Sequence, residues 1–206
     1  MIQEIFLNGS ETTSSSIEWA LLELLRNPET MVKVKNEISN VVGSNRKFEE
    51  SDSNKLPYLQ AVIKEALRLH PPIPFLLPRR AIHDTNLVGY SIPKDTQVFV
   101  NVWAVGRDEE CWEEPLCFKP ERFLGSKIEY KGQHFEFIPF GAGRRICPGL
   151  PLGHRMMHFV LGSLLLESDW ELDFSSNPST IDMNDKIGLV ARKLEPLKVV
   201  PRKHVL

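Results

Sequence analysis

The sequence predicts a mainly α protein with small β-sheets, an α+β class, and three observations carry this. Apolar residues recur at helical spacing over several long stretches, β-type segments are few and short, and residues 107–139 show almost no periodicity. The first helix runs from about residue 1 to 26, marked by Ile2, Ile5, Phe6, Ile17, Ala20, Leu21, Leu24 and Leu25. Asn27-Pro28 has the chemistry of an N-cap and first helical position of a second helix, with Gly43 as its stop. A polar loop, Ser44 to Asn54, precedes a third helix from about Pro57 to Leu69. His70-Pro71-Pro72 ends it, because proline lacks the N–H that would continue the ladder.

Beyond that point the period changes. Short β-type segments are expected near Arg79–His83 and Thr96–Asn101, separated by the turn residues Asp84, Asn86, Gly89 and Pro93. Residues 107–139 are rich in proline, glycine, charge and aromatics, and so long an irregular segment inside a compact domain has a functional reason. Residues 150–166 are apolar on all sides, which predicts a buried helix. The tail from Trp170 to Pro201 has the pattern of short strands and turns. There is no internal repeat, low-complexity tract or linker, so residues 1–206 form a single domain. The first helix begins at Met1 with no capping residue before it, which leads us to expect only part of a longer domain.

A chain of 206 residues, 42% of them hydrophobic and 25% charged, can bury a globular core, and its net charge of −2 excludes a general affinity for nucleic acid or acidic membranes. No secretory signal is present and no apolar run has the ~18 residues of a membrane span. Of the three cysteines, Cys111 and Cys117 match no common zinc spacing and are expected as small buried hydrophobes in a reducing compartment.

Cys147 stands apart. It lies in Phe140-Gly141-Ala142-Gly143-Arg144-Arg145-Ile146-Cys147-Pro148-Gly149, just before the apolar helix. A helix N-terminus and neighbouring arginines favour the ionised thiolate. Glycines let main chain approach a flat cofactor, and Arg145 offers a partner for a carboxylate. The arrangement suits a thiolate ligand to haem iron; a glycine-rich turn around a structural cysteine is the plainer alternative.

On the first helix, Asn8-Gly9-Ser10-Glu11-Thr12-Thr13 places poor helix formers mid-helix, where hydroxyls can bond back one turn and bend it. An acid beside an alcohol makes a short proton relay; a solvated polar patch is the alternative. Glu65 and Arg68 share one face of the third helix at i,i+3.

These motifs, in this order, resemble the cytochrome P450 family of haem-thiolate monooxygenases. Phe140, Gly143, Arg145, Cys147 and Gly149 match its cysteine-ligand loop, Glu11 and Thr12 its oxygen groove, and Glu65-x-x-Arg68 with Arg122 of Pro120-Glu121-Arg122-Phe123 its buried charged triad. The wording from Phe137 to Gly149 is similar to plant members that oxidise monoterpenoids and other secondary metabolites.

The resemblance implies roles for particular residues. Cys147 would be the axial iron ligand of haem b, with Pro139, Phe140, Gly143, Gly149, Arg145 and Arg79 around the cofactor. Glu11 and Thr12 would serve catalysis, and Leu7, Asn8, Pro74, Phe75, Leu76, Ile187, Gly188 and Leu189 would line a pocket for a small hydrophobic substrate. The family has Ala or Gly where this chain has Asn8, and an aromatic where it has Ile187.

The implied reaction inserts one atom of O2 into a C–H bond. Electrons would come from NADPH through NADPH-cytochrome P450 reductase, and the full-length protein would sit on the cytosolic face of the endoplasmic reticulum membrane. Lys131, Arg144 and Arg155 would offer a basic patch for an acidic redox partner, or simply a solvated face. His70, His134 and His154 lack the glycine-rich frame of a ligand loop and are expected as structural or surface residues. Against the enzyme reading stand a truncated non-catalytic product of such a gene and a helical interaction module.

Overall fold

The computed structural model describes residues 2–43, 46–173 and 181–203, with side chains from residue 9 to 202 within those ranges. Five α-helices occur among them: α1 (Ile2–Arg26), α2 (Pro28–Val42), α3 (Pro57–Leu69), α4 (Val102–Val105) and α5 (Leu150–Glu167). Their sequences explain the packing. In α2, Thr30, Val34, Ile38 and Val42 are buried at a spacing of four, one stripe of the helix. In α3 nearly every residue from Tyr58 to Leu69 is buried, because α1, α2, α5 and the 3-10 turn Pro120–Phe123 surround it. Trp19, Leu22 and Leu24 of α1, Leu59 and Val62 of α3, and Leu161 and Leu165 of α5 form the innermost core. Burying a residue of this kind is worth about 1.5–3 kcal/mol.

The capping differs from the sequence reading at one junction. Asn27 precedes α2 but makes no side-chain cap; its Nδ2 instead donates to the Glu23 carbonyl at 2.8 Å, closing α1. At the other end, Gly43 stops α2 with φ 75°, a region that favours glycine.

Among the described residues there are also four antiparallel two-stranded ribbons: β1 (Arg79–Arg80) with β4 (Gln97–Val98), β2 (Thr85–Leu87) with β3 (Tyr90–Ile92), β5 (Ser168–Leu172) with β8 (Val199–Lys203), and β6 (Asp185–Lys186) with β7 (Arg192–Lys193). The β2–β3 hairpin occupies a stretch assigned to turns from sequence. Its two-residue loop, Val88-Gly89, has both φ values positive, as a type I′ turn requires.

Two expectations are corrected. The helix α5 is not buried all round: Leu152, Met156 and Phe159 are 66%, 41% and 39% exposed, because α1, α2, α3 and the 3-10 turn Glu50–Lys55 cover only one side of it. Cys111 and Cys117 are exposed rather than buried hydrophobes; each ends a tight turn, its amide bonded to the carbonyl of Asp108 or Glu114. No helix among the described residues is long and apolar enough to cross a membrane.

Candidate active site

The cysteine loop is built by its own main chain. Gly141 N–H donates to Ile138 at 2.9 Å, Ile146 N–H to Gly143 at 3.1 Å, and Cys147 N–H to Phe140 at 2.9 Å, closing the loop on itself. Leu150 N–H then bonds the Cys147 carbonyl at 3.3 Å, so α5 starts directly behind the cysteine. With its amide occupied, Cys147 presents an exposed thiol outside any disulfide. A Cβ on Gly149 would stand 3.6 Å from that sulfur, whereas Gly143, at φ 65°, faces open space. Pro139 is buried, Phe140 is half-buried, and Arg145 is exposed.

The loop from Pro74 to Leu76 abuts it. Leu76 Cδ1 lies 3.6 Å from where a Gly141 Cβ would be. Pro74 and Phe75 carbonyls accept from Trp103 and Val100 N–H groups at 3.2 and 3.3 Å, which fixes the loop and leaves the Phe75 ring exposed, edge-on to Phe99. Arg79 follows on β1, exposed.

On α1, hydroxyls do bond back: Thr13 Oγ1 to the Gly9 carbonyl at 2.8 Å and Ser16 Oγ to the Thr12 carbonyl at 2.9 Å. Glu11 and Thr12 are half-buried, and a Glu11 oxygen lies 3.7 Å from Arg192 Nη1. The side chains of Leu7 and Asn8 lie outside the described residues. The β6–β7 hairpin carries Ile187, Gly188 and Leu189 at its exposed tip. Its second arm is clamped twice, since Ala191 N–H donates to the Pro72 carbonyl at 2.8 Å and buried Ser15 Oγ donates to the Ala191 carbonyl at 3.0 Å.

Glu65, Arg68 and Arg122 meet beneath these walls. Arg68 Nε and Nη2 bind both Glu65 oxygens at 2.7 and 2.8 Å, and neither side chain is exposed. Arg68 also donates to the carbonyls of Gly106, Pro115 (2.7 Å) and Cys117 (3.1 Å), so all five donors are used. Arg122 Nε and the Lys119 N–H complete Glu65 at 3.0 and 2.8 Å. Beside this group Arg107 donates to the Leu69 carbonyl at 2.6 Å; burial lowers its pKa, helped by the Arg68 charge.

The three candidate histidines are engaged. His70 stacks on Trp19 at 3.9 Å with Nε2 2.8 Å from Glu23, His134 lies 3.7 Å from Glu136, and His154 packs between Tyr130 and His158. The anticipated basic patch is weakened, because Arg155 reaches Glu50 at 3.2 Å. Ser15, Arg192 and Lys64 were not singled out from sequence. Each acts on a partner more than sixty positions away, and nothing local to the serine, the arginine or the lysine signals that.

A comparison with known families completes the picture. The cytochrome P450 family model matches residues 1–199, and the chain belongs to that family. It is 65% identical to cytochrome P450 76A2 of Solanum melongena over 98% of this chain and 40% of that protein. It is 58% identical to an iridoid oxidase of Catharanthus roseus over 100% and 40% respectively. A solved zebrafish cytochrome P450 with progesterone superposes with a TM-score of 0.83 at 36% identity, covering 97% of this chain and 44% of that one. The chain thus spans about two fifths of the length of the curated relatives it matches.

The family uses haem b with electrons from NADPH through a reductase. The residues present fit such a group: an exposed soft sulfur donor, glycines without Cβ atoms beside it, and exposed guanidinium groups for carboxylates.

Proposed function

We propose that this chain carries the thiolate side, and part of the oxygen side, of a haem-thiolate monooxygenase acting on a small hydrophobic substrate of the terpenoid type. The observation that carries the reading is the Cys147 loop, closed by the Cys147 amide on the Phe140 carbonyl and leaving that cysteine exposed. Cys147 would hold the haem iron through its thiolate. Pro139, Phe140, Gly143 and Gly149 would leave room for the ring, and Arg145 and Arg79 would bind its carboxylates. When bound, haem supplies reductive activation of O2 and insertion of one oxygen atom into a C–H bond, the other leaving as water. The Glu11 carboxylate and the Thr12 hydroxyl hold and pass the protons this requires.

Leu7, Asn8, Pro74, Phe75 and Leu76 would bound the substrate together with Ile187, Gly188 and Leu189. The exposed apolar side chains of Phe75, Ile187 and Leu189 fit an apolar ligand. The iridoid oxidase among the relatives supports a terpenoid. NADPH-cytochrome P450 reductase is the proposed electron source, and the cytosolic face of the endoplasmic reticulum membrane the proposed location.

The test is the carbon monoxide spectrum of the reduced, haem-loaded protein. A strongly red-shifted Soret band that disappears in Cys147→Ser supports the assignment; an identical spectrum in the variant refutes it. Adding a monoterpenoid alcohol such as geraniol to the ferric protein is expected to shift the Soret band, and this shift should be weakened in Phe75→Ala.

A further inference from the structure

The cysteine loop rests on the later part of the irregular segment, at residues 128–132. Gly132 has φ 75°, and a Cβ there would lie 2.8 Å from Ala142 Cα and 3.0 Å from the Gly141 carbonyl oxygen. Both are main-chain atoms, so no side-chain rotation relieves the clash. Two residues earlier, buried Tyr130 turns its ring to Phe140 at 5.9 Å and to His154 at 4.9 Å, joining the start of the loop to the helix behind it.

Lys64 fixes this segment to α3. It is only 6% exposed, its Nζ donates to the Ile128 carbonyl at 2.9 Å and to Glu129 at 2.6 Å, and it lies 5.8 Å from the Tyr130 ring. A buried ammonium is tolerated when its donors are occupied in this way. The chain of contact runs from the core helix to the segment, and from the segment to the loop.

We propose that residues 128–132 are a buttress that sets the seat of the Cys147 loop. Gly132 acts by main-chain contact, and Lys64 by holding Tyr130 and its neighbours; both are positioning residues, and neither reaches the sulfur. The inference deepens the haem-ligand reading of Cys147 and rests on it for its spectral readout. Its second readout needs no haem.

The experiment compares Gly132→Ala with Gly125→Ala in the full chain, with Cys111 and Cys117 changed to serine so that one thiol remains. Gly125 has nearly the same backbone, φ 69°, but open space at its Cβ, so it reports backbone strain without a clash. Two quantities are read: hydrogen exchange at the Cys147 amide, which bonds Phe140, and the fraction of the red-shifted carbon monoxide band after haem loading. Gly132→Ala is expected to speed Cys147 exchange about tenfold while α2 exchanges as in the parent, and to deplete the red-shifted band; Gly125→Ala is expected to do neither.

Equal effects from both variants, or none from Gly132→Ala, overturn the proposal. If Gly132→Ala does not fold by circular dichroism, Lys64→Met decides instead. Methionine keeps the apolar stem, and faster Cys147 exchange with unchanged α2 is the supporting result, unchanged Cys147 exchange the refuting one. A parent chain that shows no thiolate spectrum counts against the haem reading, while the exchange comparison still decides the buttress.

Discussion

Replacing Arg68 with methionine removes five donated hydrogen bonds from a side chain with no solvent exposure. Two consequences add. Glu65 becomes a buried carboxylate that has lost its bidentate partner, a loss worth about 3–5 kcal/mol in such pairs. The carbonyls of Gly106 and Pro115 lose a donor, at about 1–3 kcal/mol each if water does not replace it. Two features moderate the sum. Arg122 and the Lys119 amide still hold one Glu65 oxygen, and the Cys117 carbonyl keeps Arg122 at 3.4 Å.

A cost of about 5 kcal/mol follows, against a total stability of about 5–15 kcal/mol for a domain. With a urea slope of about 2 kcal/mol per molar, the midpoint falls by about 2.5 M. Trp112 reports the change directly, since the Arg68 guanidinium lies 5.3 Å from its ring. Adding Glu65→Leu removes the stranded charge, so the double variant is expected to lose about 2 kcal/mol less than the two single losses added together. A cost below about 1 kcal/mol for Arg68→Met, the size of an exposed ion pair, would refute the reasoning. So would exact additivity.

Two further outcomes are expected. Burial, then the nearby charge of His154, lowers the pKa of His158 from 6.5 to about 4, with Lys64 acting in the same direction. The unfolded chain therefore binds a proton that the folded one refuses, so this stabilisation is complete above pH 6.5 and lost as the pH falls through about 4. In His158→Phe the drop in urea midpoint between pH 7 and pH 4.5 should shrink; an unchanged drop contradicts the assignment. Ser15→Ala strands the buried Ala191 carbonyl, which should cost about 1–3 kcal/mol and speed amide exchange at Ala191, bonded to Pro72, more than in α2. Uniform acceleration across the chain would contradict a local clamp.

Much of this architecture is legible in the sequence where physics is local. The ends of α3 follow from Pro57 at its start and His70-Pro71-Pro72 after it, and the stripe of α2 follows from apolar spacing alone. The β2–β3 hairpin is not legible because its three-residue strands are solvated and too short to carry a period. Asn101, whose side chain accepts from Ala104 N–H, opens an α4 too short to leave a period. In α5, composition records that residues are apolar but not which side other elements reach, so Leu152 and Phe159 were misjudged. The cysteine loop was legible because its glycines, arginine and thiol act within ten residues. Ser15 and Gly132 were not, because each makes its contact across a gap that only the fold closes.

The placement of charge on α3 shows why a long irregular segment can be ordered at all. Lys64, Glu65 and Arg68 are all buried on a helix whose other buried residues are apolar, an arrangement that is unfavourable unless each charge finds a partner. Residues 106–129 supply what these groups need: carbonyls of Gly106, Pro115, Cys117 and Ile128, the Lys119 amide, and the side chains of Arg122 and Glu129. The segment has little regular secondary structure to satisfy its own main chain, so the same bonds relieve both partners. Order in the irregular segment is therefore imposed from the core outward, from α3 through Tyr130 and Gly132 to the loop bearing Cys147. A change at a charged residue of α3 should reach that loop even though it lies outside the site.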